Sequence, residues 1–319
     1  IKNKSLILTH KSKHCLPNFP SFSCKMTAQN QVRCNMDCNL YDINTIKKIL
    51  SKYGFTFSKA LGQNFLIDPN VCPQMAQSLN ADSKTGVLEI GPGIGVLTKE
   101  LCKVAKKVVS IELDKRLLPV LDETLADFDN LEIVNGDVME LDLKKLIKEK
   151  FEGCDNIKVC ANLPYYITSP IIMMLLENEL PIDEIVVMVQ KEAGERLCAE
   201  VGTRQAGAVS VAVNFYASGE ILFDVPRESF MPSPKVDSVV IKLALNDEDK
   251  YQIENKKKFF SLVKCAFAQR RKTALNSISN TMGVSKQKIT EIFTELGLEI
   301  NIRPEKLTMQ NLIDIADRL

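Results

Sequence analysis

Short apolar runs recur through the middle of the chain, each closed by a residue that breaks or polarises the backbone. Gly86-Val-Leu-Glu-Ile runs into Gly91, Lys107-Val-Val-Ser-Ile111 ends at Glu112, and Leu131-Glu-Ile-Val134 delivers Asn135-Gly136-Asp137. Ile157-Lys-Val-Cys-Ala161 is followed by Asn162, and Glu184-Ile-Val-Val-Met-Val-Gln190 by a charged stretch. Runs this short, rich in Val and Ile, read as strands. Ala208–Phe215 and Asp237–Leu245 are β-branched and alternating, which predicts two more, separated by Phe230-Met-Pro-Ser-Pro-Lys235. Helical segments are expected after the glycine turn, through about Lys107, and from about Ser169 to Asn178. Alternation of strand and helix predicts a doubly wound, mostly parallel α/β sheet, whose ligands sit at the carboxyl ends of the strands.

From Asn246-Asp-Glu-Asp249 onward the period changes to helical, with Lys256–Arg271, Thr273–Met282, Ser285–Leu296 and Thr308–Arg318 separated by Gly283, Gly297 and Pro304. The boundaries expected are residues 36–245 for the α/β domain and 246–319 for a small all-helical one. An amphipathic helix is expected to begin at Tyr41–Ile46. Residues 1–35 have no sustained apolar period, six basic side chains and no acid, and read as a disordered basic extension. With one arginine and no amphipathic helix, this segment reads as translation upstream of a start at Met36 in preference to an organelle-targeting peptide.

The 319 residues are 45% hydrophobic and 25% charged, a soluble globular composition with no apolar stretch suited to a membrane span. Setting the six charges of residues 1–35 aside turns the formal net charge of +1 into −5. Nucleic-acid binding must therefore be local. Between Glu254 and Glu291 there is no acid, while Lys256, Lys257, Lys258, Lys264, Arg270, Arg271, Lys272, Lys286 and Lys288 are all basic. Such a run is either a solvated face or a surface for a phosphate backbone, and in an otherwise acidic chain it points to the second.

Both histidines, His10 and His14, precede the expected fold, which excludes His-based nucleophile pairs, His-ligated zinc and His general bases within it. The ten cysteines contain no Cys-x-x-Cys pair. They predict free thiols in a reducing cytoplasm, with neither a metal site nor a disulfide framework.

The candidate chemistry lies at the strand ends. Gly91-Pro-Gly93-Ile-Gly95 is a glycine turn one residue tighter than the dinucleotide pattern, and Glu112 at the end of the next strand can accept from both hydroxyls of a ribose. Glycine spacing alone leaves NAD and S-adenosylmethionine open. Asp137 can hold an adenine amino group. Asn162-Leu163-Pro164-Tyr165 offers a carboxamide and a carbonyl to an exocyclic NH2 and a ring to stack on, which suits methylation of adenine N6. A bare turn with a packed aromatic has the same sequence. Phe230 reads either as core or, stiffened by Pro232 and Pro234, as a stacking wall for a flipped base.

Together these segments resemble the small-subunit branch of the ribosomal RNA adenine dimethyltransferase family. The shared segments are Lys59–Asp68, Glu89–Thr98, Ile111–Asp114, Gly136-Asp137, Asn162–Tyr165, Phe230–Ser238 and Phe267–Thr273, so the likeness runs from about Ile46 to the C-terminus. It implies a seven-stranded, Rossmann-like class I methyltransferase sheet with a helical RNA-binding domain. It also implies S-adenosylmethionine as donor and two neighbouring adenosines of small-subunit rRNA as acceptors. A monomer is the default expectation, and the cysteine and histidine pattern predicts no metal. The implied donor contacts are Asn64, Leu66, Gly91, Gly93, Glu112, Asp137 and Asn162; Asn162, Leu163, Pro164, Tyr165 and Phe230 would surround the target base. Residues 1–35 have no counterpart in the family, while Val201 and Ala206 replace a proline and an aromatic residue found in many members. The competing readings are the macrolide-resistance branch, acting on large-subunit rRNA, and a silent RNA-binding assembly factor that has kept the fold.

Overall fold

The structure, a computed structural model, describes residues 39–56, 64–246, 250–269 and 271–319. The expectations for residues 1–35, for 59–63 of the first shared segment and for Arg270 lie outside the described residues. Seven strands form the main sheet: β2 (Thr85–Ile90), β3 (Lys107–Glu112), β4 (Leu131–Asn135), β5 (Asn156–Asn162), β6 (Glu184–Gln190), β7 (Ala217–Val225) and β9 (Ser238–Leu245). Two short strands, β1 (Phe65–Leu66) and β8 (Phe230–Met231), pair antiparallel as a separate ribbon.

The sheet order is β4-β3-β2-β5-β6-β9-β7, parallel from β4 to β6 and antiparallel for the last two. The chain winds outward from β2 through β4, then crosses back to lay β5 on the other side of β2. The reversal places a crevice between the ends of β2 and β5, where α/β sheets bind ligands. β2 is buried at every position, as a central strand covered on both faces must be.

The Ala208–Phe215 segment corrects the sequence reading: Ala208–Tyr216 is a helix, not a strand. Ser210 caps it by accepting from the Gly207 N–H at 2.9 Å. Val213 packs into the sheet core while Val211 and Phe215 pack into the core of the C-terminal helices. A helix sandwiched between two cores is apolar nearly all round, so its sequence loses the amphipathic period and mimics a buried strand. The seventh strand is β7 instead. Its apolar run, Ile221-Leu222-Phe223, is only three residues long and lies between Glu220 and Asp224 on a sheet edge, so it gives a weak strand signal.

The helices Lys256–Phe267, Ala274–Met282, Lys286–Glu295 and Met309–Arg318 surround a third core that includes Phe259, Ile278, Phe293 and Ile315. Aromatic rings tie it to the 208–216 helix, with Phe215 to Phe260 at 5.3 Å and Tyr216 stacked on Phe260 at 5.4 Å. Thr273, Ser285 and Thr308 cap three of these helices through their hydroxyls. The N-terminal helix Ile43–Lys52 is capped by Asp42, which accepts from the Thr45 N–H at 2.7 Å. No helix among the described residues is long and apolar enough to cross a membrane.

Candidate active site

A cleft of about 380 Å³ opens across the carboxyl ends of β2, β3, β4 and β5. Asn64, Leu66, Gly91, Gly93, Glu112, Asp137, Asn162, Leu163, Pro164, Tyr165 and Phe230 all line it. Residues distributed over 167 positions of sequence are thus gathered on one surface: the parallel strands β2 to β5 deliver their loops to the same edge of the sheet, and the β1–β8 ribbon adds Asn64, Leu66 and Phe230.

The glycine turn follows β2 directly. Gly93 and Gly95 have φ of +63° and +91°, and a Cβ on Gly95 would stand 3.0 Å from the Leu125 side chain, so an L side chain at either position would be strained and at Gly95 would also press on Leu125. Above Gly91 the space is open, with no atom within 4 Å of where a Cβ would stand. The backbone there is bare to the cleft.

Glu112 is buried at the end of β3, its two carboxylate oxygens accepting from the Gly93 N–H at 3.2 Å and the Asp114 N–H at 2.7 Å. Burial raises its pKa, and these backbone donors oppose the rise. Asp137, after β4, accepts from the Met139 N–H through Oδ1 at 2.9 Å, and its Oδ2 takes no donor among the described residues. Two carboxylates on adjacent strand ends, beside bare backbone and among Ile90, Ile111 and Val138, fit a ligand with a ribose diol, an amino-bearing ring and apolar faces. S-adenosylmethionine has these groups, and no group of acids, cysteines and histidines suited to a metal occurs among the described residues.

Behind the turn sits Glu89, only 1% exposed, whose Oε2 accepts from Thr98 Oγ1 at 2.7 Å and Ser110 Oγ at 2.5 Å. Those bonds tie β2 to β3 and to the helix Val96–Val104. Oε1 is buried without a partner among the described residues, and burial pushes the carboxyl pKa up to about 7.

The other wall belongs to the Asn162–Tyr165 turn. The Leu163 N–H donates to the Met188 carbonyl at 3.1 Å, which prolongs the β5–β6 ladder one residue past Asn162. The Pro164 carbonyl accepts from the Ile167 N–H and the Thr168 hydroxyl, both at 3.2 Å, locking the turn to the helix Thr168–Glu177. Neither the Asn162 carboxamide nor the Leu163 carbonyl has a hydrogen-bond partner among the described residues, and both belong to residues on the cleft. Tyr165 is partly buried; its hydroxyl lies 2.6 Å from Ser238 Oγ.

Phe230 is 3% exposed, so it is not a ring waiting on an exposed loop. Its pairing with Leu66, reinforced by the Ile67 N–H to the Ser229 carbonyl at 2.8 Å and by Ser229 Oγ to Asp68 at 3.1 Å, seats it in the core with its surface on the cleft. The core reading of this residue is the one its burial matches, and its surface also lines the cleft. Sequence reasoning assigns nothing to Ser238 or to Tyr166, which is 59% exposed and lines the same cleft. The doubled tyrosine is the available signal for Tyr166; no local signal marks Ser238 as the partner of a residue 73 positions away.

Residues 54–319 match the ribosomal RNA adenine dimethylase family. The chain belongs to that family. Among curated relatives, Ribosomal RNA small subunit methyltransferase A of Clostridioides difficile is 46% identical over 267 residues, covering 84% of this chain and 92% of the relative. The protein of the same name from Bacillus mycoides is 45% identical over 279 residues, covering 86% and 96%. Of solved structures, a dimethyladenosine transferase from Plasmodium falciparum superposes with a TM-score of 0.63 at 27% identity, covering 79% of this chain and 95% of that one. The 23S rRNA methyltransferase ErmE shares the fold, with a TM-score of 0.60 at 24% identity over 80% and 99% of the two chains. The family match runs through the glycine turn, the Asn162–Tyr165 turn and the C-terminal helices alike. The seven-stranded class I methyltransferase architecture expected from the resemblance is therefore borne out, with β7 in place of Ala208–Phe215 as the seventh strand.

Proposed function

We propose that this dimethylase transfers methyl groups from S-adenosylmethionine to N6 of two adjacent adenosines in a hairpin near the 3′ end of small-subunit (16S) rRNA, giving N6,N6-dimethyladenosines during subunit assembly in the cytoplasm. One observation carries the reading: two carboxylates suited to a nucleoside donor and two acceptors suited to an exocyclic amine line the same cleft. The relatives at 45–46% identity bear a small-subunit name, which favours this branch over the large-subunit one. Intact Gly91–Gly95, Glu112, Asp137 and Asn162 speak against a silent assembly factor.

Asn64, Leu66, Gly91, Gly93, Glu112, Asp137 and Asn162 would hold the donor, which supplies an electrophilic methyl on a sulfonium. The target adenine lies between Tyr165 and Phe230, its N6–H groups donating to the Asn162 carboxamide and the Leu163 carbonyl. These bonds draw the nitrogen lone pair out of conjugation with the ring and aim it across the cleft. The lone pair forms the new N–C bond as the methyl–sulfur bond breaks, and the alkylated nitrogen then releases its proton to water. That ammonium is far more acidic than the starting amine, so a fold without histidine among the described residues meets no obstacle. Pro164 holds the turn; alignment and exclusion of water supply most of the rate.

For the RNA, the reading takes residues 246–319 as the binding domain, with Lys256, Lys257, Lys258, Lys264, Arg271 and Lys272 meeting phosphates. Lys257 and Lys264 are exposed one heptad apart on one face of the helix Lys256–Phe267, and Arg271 and Lys272 are exposed just beyond its end. None of these four has an acidic partner among the described residues. Six free cysteines among the described residues accord with a reducing compartment.

The test is nucleoside mass spectrometry of small-subunit particles that lack the modification, incubated with protein and donor. N6,N6-dimethyladenosine is expected in the small-subunit rRNA. Methylation confined to large-subunit rRNA, or none at all, would overturn the reading.

A further inference from the structure

We propose that Ser238 is a positioning residue for the transfer, holding the Tyr165 ring at the angle from which its face meets the adenine. The proposal rests on the reading of Asn162–Tyr165 as the acceptor half of the site.

The backbone of that turn is fixed by the Leu163 and Pro164 hydrogen bonds, none of which involves the side chain of the partly buried Tyr165. What holds the ring is its hydroxyl, 2.6 Å from Ser238 Oγ. Ser238 is fully buried and opens β9, where it stands opposite Gln190 of β6 and Val225 of β7. Its Oγ is therefore placed by two ladders at once, which makes it a fixed post and not a mobile surface hydroxyl. Among the described residues neither hydroxyl has another hydrogen-bond partner. Tyr166, one residue on, shows the alternative: the same side chain, without such a tether, stands 59% exposed.

The tether assigns a role by exclusion as well. A tyrosine hydroxyl committed to a buried serine is not the group that moves the proton, so Tyr165 acts through its ring face. The dimethylation sequence shows where that matters most. Before the first transfer N6 carries two N–H bonds, one for Asn162 and one for the Leu163 carbonyl. Before the second it carries one, and stacking has to supply the alignment that the missing hydrogen bond provided. Loosening the ring therefore penalises the second methyl more than the first.

The full-length protein is assayed on unmodified small-subunit particles, with N6-methyladenosine and N6,N6-dimethyladenosine quantified over time in wild type, Ser238→Ala, Tyr165→Phe and the double variant. Each single variant is expected to slow the second transfer by up to about tenfold, the scale of one hydrogen bond, and to accumulate monomethyladenosine. Donor affinity measured by calorimetry is expected to hold near wild type. The double variant is expected to be no slower than the slower single one, because the two changes remove the same tether. Wild-type product ratios in Ser238→Ala, or losses that multiply in the double variant, would overturn the proposal, and so would a lowered melting temperature with unchanged ratios. Tyr165→Phe deletes the tether from the cleft side and keeps the test decisive if Ser238→Ala does not fold. A wild type that makes no methyladenosine defeats the reading of the site itself, a separate outcome from failure of the tether.

Discussion

The two sides of the cleft, to which the proposed function assigns the donor and the acceptor, are built differently. The donor half is local: Gly91–Gly95, Glu112 and Asp137 follow β2, β3 and β4 in turn, and the buried Glu112 carboxylate is satisfied by neighbouring backbone N–H groups. The acceptor half is assembled from a distance, with Tyr165 held by Ser238 and Phe230 seated against Leu66 by a two-residue ribbon. The groups that follow successive strand ends depend on strand order, while Leu66 on the donor side shares the ribbon that seats Phe230. The contact between Tyr165 and Ser238 depends on the antiparallel strand β9 being in register, since a one-residue slip would turn every side chain of β9 to the opposite face.

The sharpest way to break the comparison is Asn162→Ala, which removes the carboxamide proposed to accept from the reacting amine and leaves the basic helical face alone. Transfer is expected to fall by about 10³-fold or more while rRNA affinity stays within a few-fold. Radiolabelled methyl incorporation at saturating donor checks the first part and filter binding of rRNA the second. Near wild-type incorporation would remove Asn162 from the mechanism.

The donor half yields to Glu112→Gln. The amide replaces one carboxylate oxygen with an NH2 that must face either the Gly93 or the Asp114 N–H, so the variant loses charge and sets two donors against each other. Donor affinity is expected to weaken roughly ten- to a hundred-fold, the scale of a charge-assisted hydrogen bond, with kcat at saturating donor changed little. Titration calorimetry with S-adenosylmethionine reads this out, and a kcat effect larger than the affinity effect would blur the two halves into one.

Legibility in the sequence follows the same division. Gly91, Gly93, Glu112 and Asp137 can be found because a strand end is marked locally, by an apolar run and then a glycine or an acid. Asn162–Tyr165 is legible as a motif and Phe230 as a core candidate, yet the tether to Ser238 and the ribbon that seats Phe230 against Leu66 are products of pairing across 73 and 164 positions, for which a single chain carries no signal. The 208–216 helix reads as a strand because two cores claim its surface, and β7 escapes notice because an exposed edge strand needs no apolar period. Both departures lie on the antiparallel side of the sheet, the side on which the acceptor half depends.

A smaller effect separates RNA grip from chemistry. Replacing Lys257 and Lys264 together by Ala removes two exposed charges with no acidic partner among the described residues. Affinity for the rRNA hairpin is expected to drop several-fold at low salt, and the slope of log affinity against log salt to shrink by about one for each phosphate no longer neutralised. Turnover at saturating RNA is expected to hold. An unchanged slope would return these lysines to the status of a solvated face.

The last effect belongs to the donor side, where Glu89 is buried behind the glycine turn and Glu112 is buried on the cleft. Glu89 keeps its proton in the folded protein up to about pH 7, while in the unfolded chain it titrates near the ordinary glutamate value of 4.5. Between those values the native state binds more protons than the unfolded one, so the contribution of Glu89 to stability is full at the acid end and is lost as pH rises through about 7. The Asp42, Asp82, Glu123 and Glu228 carboxyls, all lowered by hydrogen bonds, work in the opposite sense but below that window. Glu89→Gln is expected to lower the melting temperature at acid pH, where its amide nitrogen replaces the unpartnered Oε1 and lacks an acceptor. It is also expected to flatten the decline in stability between about pH 5 and 7, by an amount on the order of 1–3 kcal/mol. Parallel pH profiles in the two proteins would mean that the buried carboxyl behind the glycine turn is not the group that titrates there, and would leave Glu112 as the donor half's remaining source of that slope.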